Sequence, residues 1–254
     1  MFMQKISSNI ILTLSLILIG SVSLWGQNST KQIYFDAQKF TLIGKATATP
    51  QFYHRVDTAR YNEMPRVVKN LFTNSSGLAI IFRTNSNSIS AKWSTSNPNS
   101  MNNMTDIAHK GLDLYIKRDN KWVFAGVGRP TRNSTSAELV SNMADGNKEC
   151  LLYLPLYDEL KSLEIGISDS SYIKSIPNPF RHKVVVYGSS ITQGASASRP
   201  GMAYLARMSR SLGIDFINFG LSGNGKMEKS VANMIKDIEA DAYILDCVPN
   251  PSPE

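Results

Sequence analysis

The rhythm of apolar residues changes near residue 180, and that change limits what the chain can fold into more than any other feature. From about residue 32 to about residue 168 the apolar residues come in short, strand-length runs rich in β-branched and aromatic types: QIYFDA, LAIIFRT, SISAKWST, LDLYIKR, KWVFAGVG, ECLLYLPL and SLEIGIS. Turn-forming stretches such as TNSSG, NSNS and ADGN separate them, and SISAKWS alternates as a strand with one wet face should. Helical signal is scant, so this part is predicted to be an antiparallel β-sandwich or jelly roll. STSNPNSMNNMTD reads as a long polar loop inside it. KSIPNPFRH (174–182) then reads as a linker, because its two prolines fit neither a helix interior nor a central strand.

Beyond the linker the pattern becomes strand, helix, strand, helix, strand: KVVVYG, PGMAYLARMSRSLG, DFINFG, KMEKSVANMIKDIEA and AYILDCV. Pro200 and Gly213 punctuate the first helix at its start and end. The strands are near-continuous apolar runs, as buried parallel strands are. The organisation read from these patterns is a signal peptide at 1–26, a β-sandwich domain at 27–173, a linker at 174–182 and an α/β domain at 183–254.

The signal is read from MFMQK followed by the apolar IILTLSLILIGSVSLW, with small residues Ser21, Ser23 and Gly26 before polar QNST. Cleavage after Gly26 is the favoured reading over an uncleaved anchor, because Thr13, Ser15, Gly20, Ser21 and Ser23 dilute the apolar stretch. It implies export to the periplasm or the extracellular space, with no stable membrane insertion after cleavage. Two cysteines, Cys150 and Cys247, each sit within an apolar strand and read as buried free thiols. The formal charge is +7, but the basic residues are scattered. No basic run, zinc spacing or RNA-binding signature accompanies them, so nucleic acid is not an expected partner. No ligand cluster points to a metal or an organic cofactor.

In an open parallel sheet, ligands gather beyond the carboxyl ends of the strands. All three ends here carry small or polar residues: Gly188-Ser189-Ser190, then Gly220-Leu221-Ser222-Gly223-Asn224-Gly225, then Asp246-Cys247-Val248-Pro249-Asn250. Each alone has an ordinary explanation as a strand end, a glycine turn or a Pro-Asn turn. GSSITQGASA lacks the P-loop lysine and the glycine spacing of a dinucleotide fingerprint.

Together the three ends resemble the SGNH/GDSL hydrolase superfamily. YGSSITQGASASRPGMAY is similar to the SGNH-type esterases of gut and environmental Bacteroidetes, which carry an N-terminal β domain marked G-x-D-L-Y. Gly111-Leu112-Asp113-Leu114-Tyr115 reproduces that motif. The resemblance implies an α/β fold class: an N-terminal antiparallel β-sandwich or jelly roll followed by a partial flavodoxin-like, three-layer SGNH domain. It implies Ser190 as nucleophile, with Ser189 where the family usually has aspartate. It also implies an oxyanion hole built from the Ser190 N–H, the Gly223 N–H and the Asn250 side chain. The chemistry suits these residue types: a serine needs a base to lose its proton, and fixed donors stabilise the tetrahedral oxyanion.

The family takes its base from a D-x-x-H block near the C-terminus, and no such block occurs before Glu254. His54, His109 and His182 lie outside the family position and read as surface or packing residues. The general-base histidine and its aspartate are therefore expected to lie outside this chain. The resemblance implies a longer natural protein hydrolysing acyl esters, acetyl esters on carbohydrates foremost, and a chain that is nearly inactive alone. The alternative is a non-catalytic secreted module that binds glycan, with Trp93 or Trp122 as a sugar platform if either is not in the core.

Overall fold

The computed structural model describes residues 31–248 and Asn250, so the signal-peptide reading lies outside the described residues. The described chain forms one compact unit. Its first part is two antiparallel sheets. One has the order β1 (Gln32–Asp36), β9 (Leu160–Ser168), β4 (Ile89–Thr95), β7 (Ser134–Val140). The other has the order β10 (Ile173–Ser175), β3 (Ala79–Thr84), β8 (Lys148–Tyr153), β5 (Leu112–Arg118), β6 (Lys121–Gly128), with β2 (Thr41–Ile43) also on β3. The sandwich core interleaves Ala91, Trp93, Leu163 and Ile165 with Ile80, Phe82, Leu114 and Leu152. Strand β10 takes in Lys174 and Ser175 at the start of the linker stretch, and β7 was not marked by any apolar run.

The second sheet is apolar on both faces, which explains the unbroken runs LAIIF and CLLYL. Ala79, Ile81, Tyr115, Leu151 and Tyr153 point away from the sandwich core and pack against Phe180 of the linker stretch and Ala206 of the following α/β part. A sheet covered on both sides loses the polar–apolar alternation that marks a half-exposed strand.

The α/β part is a parallel sheet of order β12 (Ile214–Gly220), β11 (Arg181–Gly188), β13 (Ala242–Asp246). Between the strands lie α3 (Ser190–Gln193), a 3₁₀ turn at Pro200–Met202, α4 (Tyr204–Leu212) and α5 (Lys229–Lys236). Gly213 ends α4 in the left-handed conformation, φ 71°. Val184, Val186 and Phe216 pack on Leu205 of α4, while Val185, Tyr187, Ile217 and Phe219 pack on Val231, Met234 and Ile235 of α5.

Two helices lie inside the stretch read as all strand: α1 (Arg66–Phe72) and α2 (Asp106–Lys110). Helix α1 buries Val68 and Phe72, one turn apart, against the α/β sheet, with Phe72 edge-on to Phe219 at 5.5 Å. Burial of each such side chain contributes about 1.5–3 kcal/mol. Seven residues hold only two buried positions, too few for a helical period to show in sequence. Strand β13 combines the apolar run of a buried strand with an open edge, as a parallel sheet of three strands implies: its Tyr243, Ile244 and Leu245 are exposed. The strand also ends at Asp246, so Cys247 follows it instead of lying within it. Both cysteines are buried and unpaired.

Candidate active site

Strand register brings the three polar strand ends into one line. Gly188 pairs with Gly220 on one side and with Asp246 on the other, so the segments that follow leave the same edge of the sheet. They are packed tightly there. A Cβ on Gly188 would lie 2.1 Å from Thr192 Oγ1, and one on Gly220 would lie 1.9 Å from the backbone nitrogen of Gln193. Leu221 N–H donates to the Gly188 carbonyl at 2.9 Å, and Gly225, with φ 73°, packs on that same carbonyl. Only glycine combines this approach with that conformation.

The two adjacent serines differ in access. Ser189, in extended conformation, is 1% exposed, and its hydroxyl has no hydrogen-bond partner. Ser190 opens α3 and is half-buried, so its hydroxyl is the one a substrate could reach. The Ser190 carbonyl accepts from Gly194 N–H at 3.0 Å and from Ala195 N–H at 2.8 Å, which holds the turn tightly. Gly223 is exposed with φ 68°, and nothing lies within 4 Å of where its Cβ would be. The loop is therefore open on the side where a side chain would stand. Asn250 donates from Nδ2 to the Asn224 carbonyl, which ties the third strand end to the loop carrying Gly223. One of its two amide hydrogens is thus committed to the loop. Asp246 accepts at Oδ2 from Thr192 Oγ1 at 2.8 Å and from the Tyr204 hydroxyl at 2.9 Å, pinning α3 and α4 to β13.

No histidine hydrogen-bonds to Ser190 among the described residues. His54 Nε2 meets Glu159 Oε1 at 2.6 Å, and His109 is buried with Nδ1 unpartnered. Burial pushes the His109 imidazole below its usual range. His182 is exposed beside Asp241 at the start of β11, six residues before Gly188, or about 20 Å along the strand. Trp93 is 3% exposed and donates from Nε1 to the Lys110 carbonyl, so it is a core residue and no sugar platform. Among the described residues no group of three or more potential ligands could hold a metal ion.

Four further residues build the surroundings: Arg55 and Tyr157 carried no signal in the sequence, whereas Gln193 and Asp113 fall within its motif stretches. Gln193, fully buried, accepts Ser222 N–H at Oε1 (2.9 Å) and donates from Nε2 to Asn74 Oδ1 and the Leu156 carbonyl. The Tyr157 hydroxyl, from the β part, donates to the Ser190 carbonyl at 3.2 Å. Arg55, 1% exposed, donates to four backbone carbonyls: Asn74 at 3.0 Å, Leu71 at 2.7 Å, Asn218 at 2.8 Å and Gly220 at 2.9 Å. Alternate residues of an edge strand point their backbone groups away from the sheet. Leu221 N–H points to β11, so the Asn218 and Gly220 carbonyls face outward, and the guanidinium caps them as a neighbouring strand would.

Asp113 of the GLDLY motif is the fourth. Along β5, Leu112 and Leu114 enter the sandwich core while Asp113 and Tyr115 face the α/β part. Asp113 is fully buried and accepts from Gly201 N–H at 2.8 Å and from Arg199 Nε at 3.2 Å. Burial pushes its carboxyl up to about 6, against the opposing pull of Arg199. The motif is thus a clamp from the β part onto the segment that follows α3.

Residues 32–173 match the family described as the GxDLY N-terminus of SGNH-hydrolase-type esterases, and residues 181–254 match the GDSL-like lipase/acylhydrolase family. The chain belongs to the GxDLY-bearing SGNH/GDSL hydrolases. In this SGNH chain the two matches fall on the sandwich and on the parallel sheet just described. It shares 64% identity and a TM-score of 0.86 with a protein designated a GDSL-like lipase from Bacteroides ovatus ATCC 8483, over 88% of this chain and 66% of that one. It shares the fold of SsfX3, a salicylyl-acyltransferase from a tetracycline biosynthetic pathway, at 19% identity and a TM-score of 0.64, over 84% of this chain and 60% of that one. No curated protein matches it. The SGNH chain therefore spans just under two thirds of the length of the Bacteroides ovatus protein.

Proposed function

We propose that this chain carries the nucleophile and the oxyanion donors of a serine esterase whose general base lies outside it. The observation that supports this reading is the register of Gly188 with both Gly220 and Asp246, which sends the segments bearing Ser190, Gly223 and Asn250 off one sheet edge. In the proposed reaction, the Ser190 hydroxyl attacks the ester carbonyl and passes its proton to the external base. The Ser190 and Gly223 amides, with the free N–H of Asn250, receive the oxyanion, and collapse expels the alcohol. Water then attacks the acyl-serine and releases the acid. The preferred substrate in this reading is an acetyl ester on a carbohydrate. The protein is exported after removal of residues 1–26, and no helix among the described residues is long and apolar enough to cross a membrane. Without its base the 254-residue chain is nearly inactive.

The test compares p-nitrophenyl acetate hydrolysis by three proteins. These are the 254-residue chain, the product of the reading frame extended past Glu254, and that longer product carrying Ser190→Ala. The expected result is turnover by the longer product alone. Equal turnover with and without Ser190 would remove it as nucleophile, and full turnover by the short chain would remove the external base.

A further inference from the structure

A second concave site lies where the β5–β6 hairpin meets α4. It is a cavity of about 510 Å³ whose walls include Lys121, Trp122, Arg199, Arg207, Arg210 and the Tyr115 ring. We propose that it binds an anionic group carried on a sugar, a uronate carboxylate or a sulfate ester. This reading is independent of the esterase chemistry, since it uses none of the residues assigned to that reaction.

Charge is the first argument. Four cationic side chains line the cavity, and among the described residues only Arg199 has an acidic partner, the fully buried Asp113. That carboxylate already accepts from Gly201 N–H and Arg199 Nε, so it is engaged away from a ligand. Preorganisation is the second. The Arg199 guanidinium lies 4.3 Å over the Phe124 ring while Asp113 holds its Nε. The Arg210 guanidinium lies 3.9 Å over the Tyr115 ring, and its Nη2 donates to the Gly201 carbonyl at 2.7 Å. Two planar cations are therefore held in place before any ligand arrives. Fixed guanidinium groups are suited to carboxylate and sulfate oxygens because their donors are paired in a plane. Arg207 and Lys121 stand exposed at the rim, able to close on an incoming charge.

Size and wall chemistry are the third argument. A cavity of about 510 Å³ is far larger than a lone inorganic anion needs, and half-buried Trp122 with Asn120 adds an aromatic wall and an amide. Aromatic faces and amides recognise the ring and hydroxyls of a sugar, while the cations recognise its charge.

The experiment titrates the 254-residue chain by calorimetry with three probes: an oligogalacturonate, a sulfated oligosaccharide and a neutral xylo-oligosaccharide. One or both acidic probes should bind, which identifies the anion, and the neutral probe should not. Arg207→Glu, at an exposed position, should weaken binding at least tenfold. Lys229→Glu, an exposed charge reversal on α5, should change it less than twofold, and circular dichroism should show both variants folded. Equal weakening by the two variants would reduce the effect to the overall positive charge and overturn the proposal. Binding of the neutral probe as tightly as the acidic ones, or no binding by any probe, would overturn it as well.

Discussion

Replacing Arg55 with methionine tests how the β part holds the edge strand beside the candidate site. Methionine keeps the length and most of the packing but removes all donors. Each hydrogen bond from a charged donor contributes about 1.5–3 kcal/mol, so the four carbonyl bonds of Arg55 set a ceiling of about 6–12 kcal/mol. Against that stands the cost of burying the charge. Burial pulls the guanidinium from 12.5 down to about 9, equivalent to about 4–5 kcal/mol that methionine recovers. The net loss is therefore about 1–8 kcal/mol, centred on about 4, and at about 2–4 °C per kcal/mol for a chain of this size the melting temperature falls by about 10 °C. Arg55→Lys keeps the charge but offers one compact ammonium in place of the planar fork, so it should lose at least as much. Thermal unfolding followed by circular dichroism, with urea unfolding at 25 °C as a check, measures both. A drop of less than about 2 °C for Arg55→Met would refute the edge-capping argument, because it would mean that the Asn218 and Gly220 carbonyls are satisfied without the guanidinium.

Three further outcomes follow from the same geometry. The Asp113 carboxyl is at about 6 folded and near 3.8 unfolded, so between those values the folded protein holds a proton that the unfolded chain has released. Its contribution to stability is therefore greatest below pH 4 and falls by about 3 kcal/mol as pH rises through 6. Urea unfolding of the native protein and of Asp113→Asn from pH 4 to 7 should show that difference shrinking, and a flat difference would refute it. Gly220→Ala places a Cβ 1.9 Å from Gln193 N and should cost several kcal/mol, whereas Gly223→Ala meets nothing within 4 Å and should cost about 1 kcal/mol for its positive φ. Melting temperatures of the two variants decide this, and equal losses would contradict the packing described. Cys150 and Cys247 are buried and burial pushes both thiols up, so Ellman's reagent should label neither until denaturant is added. Rapid labelling of the folded protein would contradict their burial.

The sandwich strands, the parallel strands and the order of the SGNH motifs were legible in the sequence because they rest on local periods and on residues a few positions apart. QIYFD and VVVYG state their own conformation, and the alternation in GLDLY separates two core leucines from two residues aimed elsewhere. Where local pattern was weak, the structure differs: seven-residue α1 has too little length to show a period. What aligns Ser190 with the other two strand ends, and what buries Ser189 one residue away, is decided by contacts across the chain. Arg55 reaches Asn218 over 163 residues, Asp113 reaches Gly201 over 88, and Tyr157 reaches Ser190 over 33. A single sequence carries no record of such pairings, because nothing in the spacing of an arginine, an aspartate or a tyrosine names its distant acceptor. They exist only once the sheets and the helices between them have buried their apolar faces together, which is the step that brings three ordinary strand ends to one edge of the sheet.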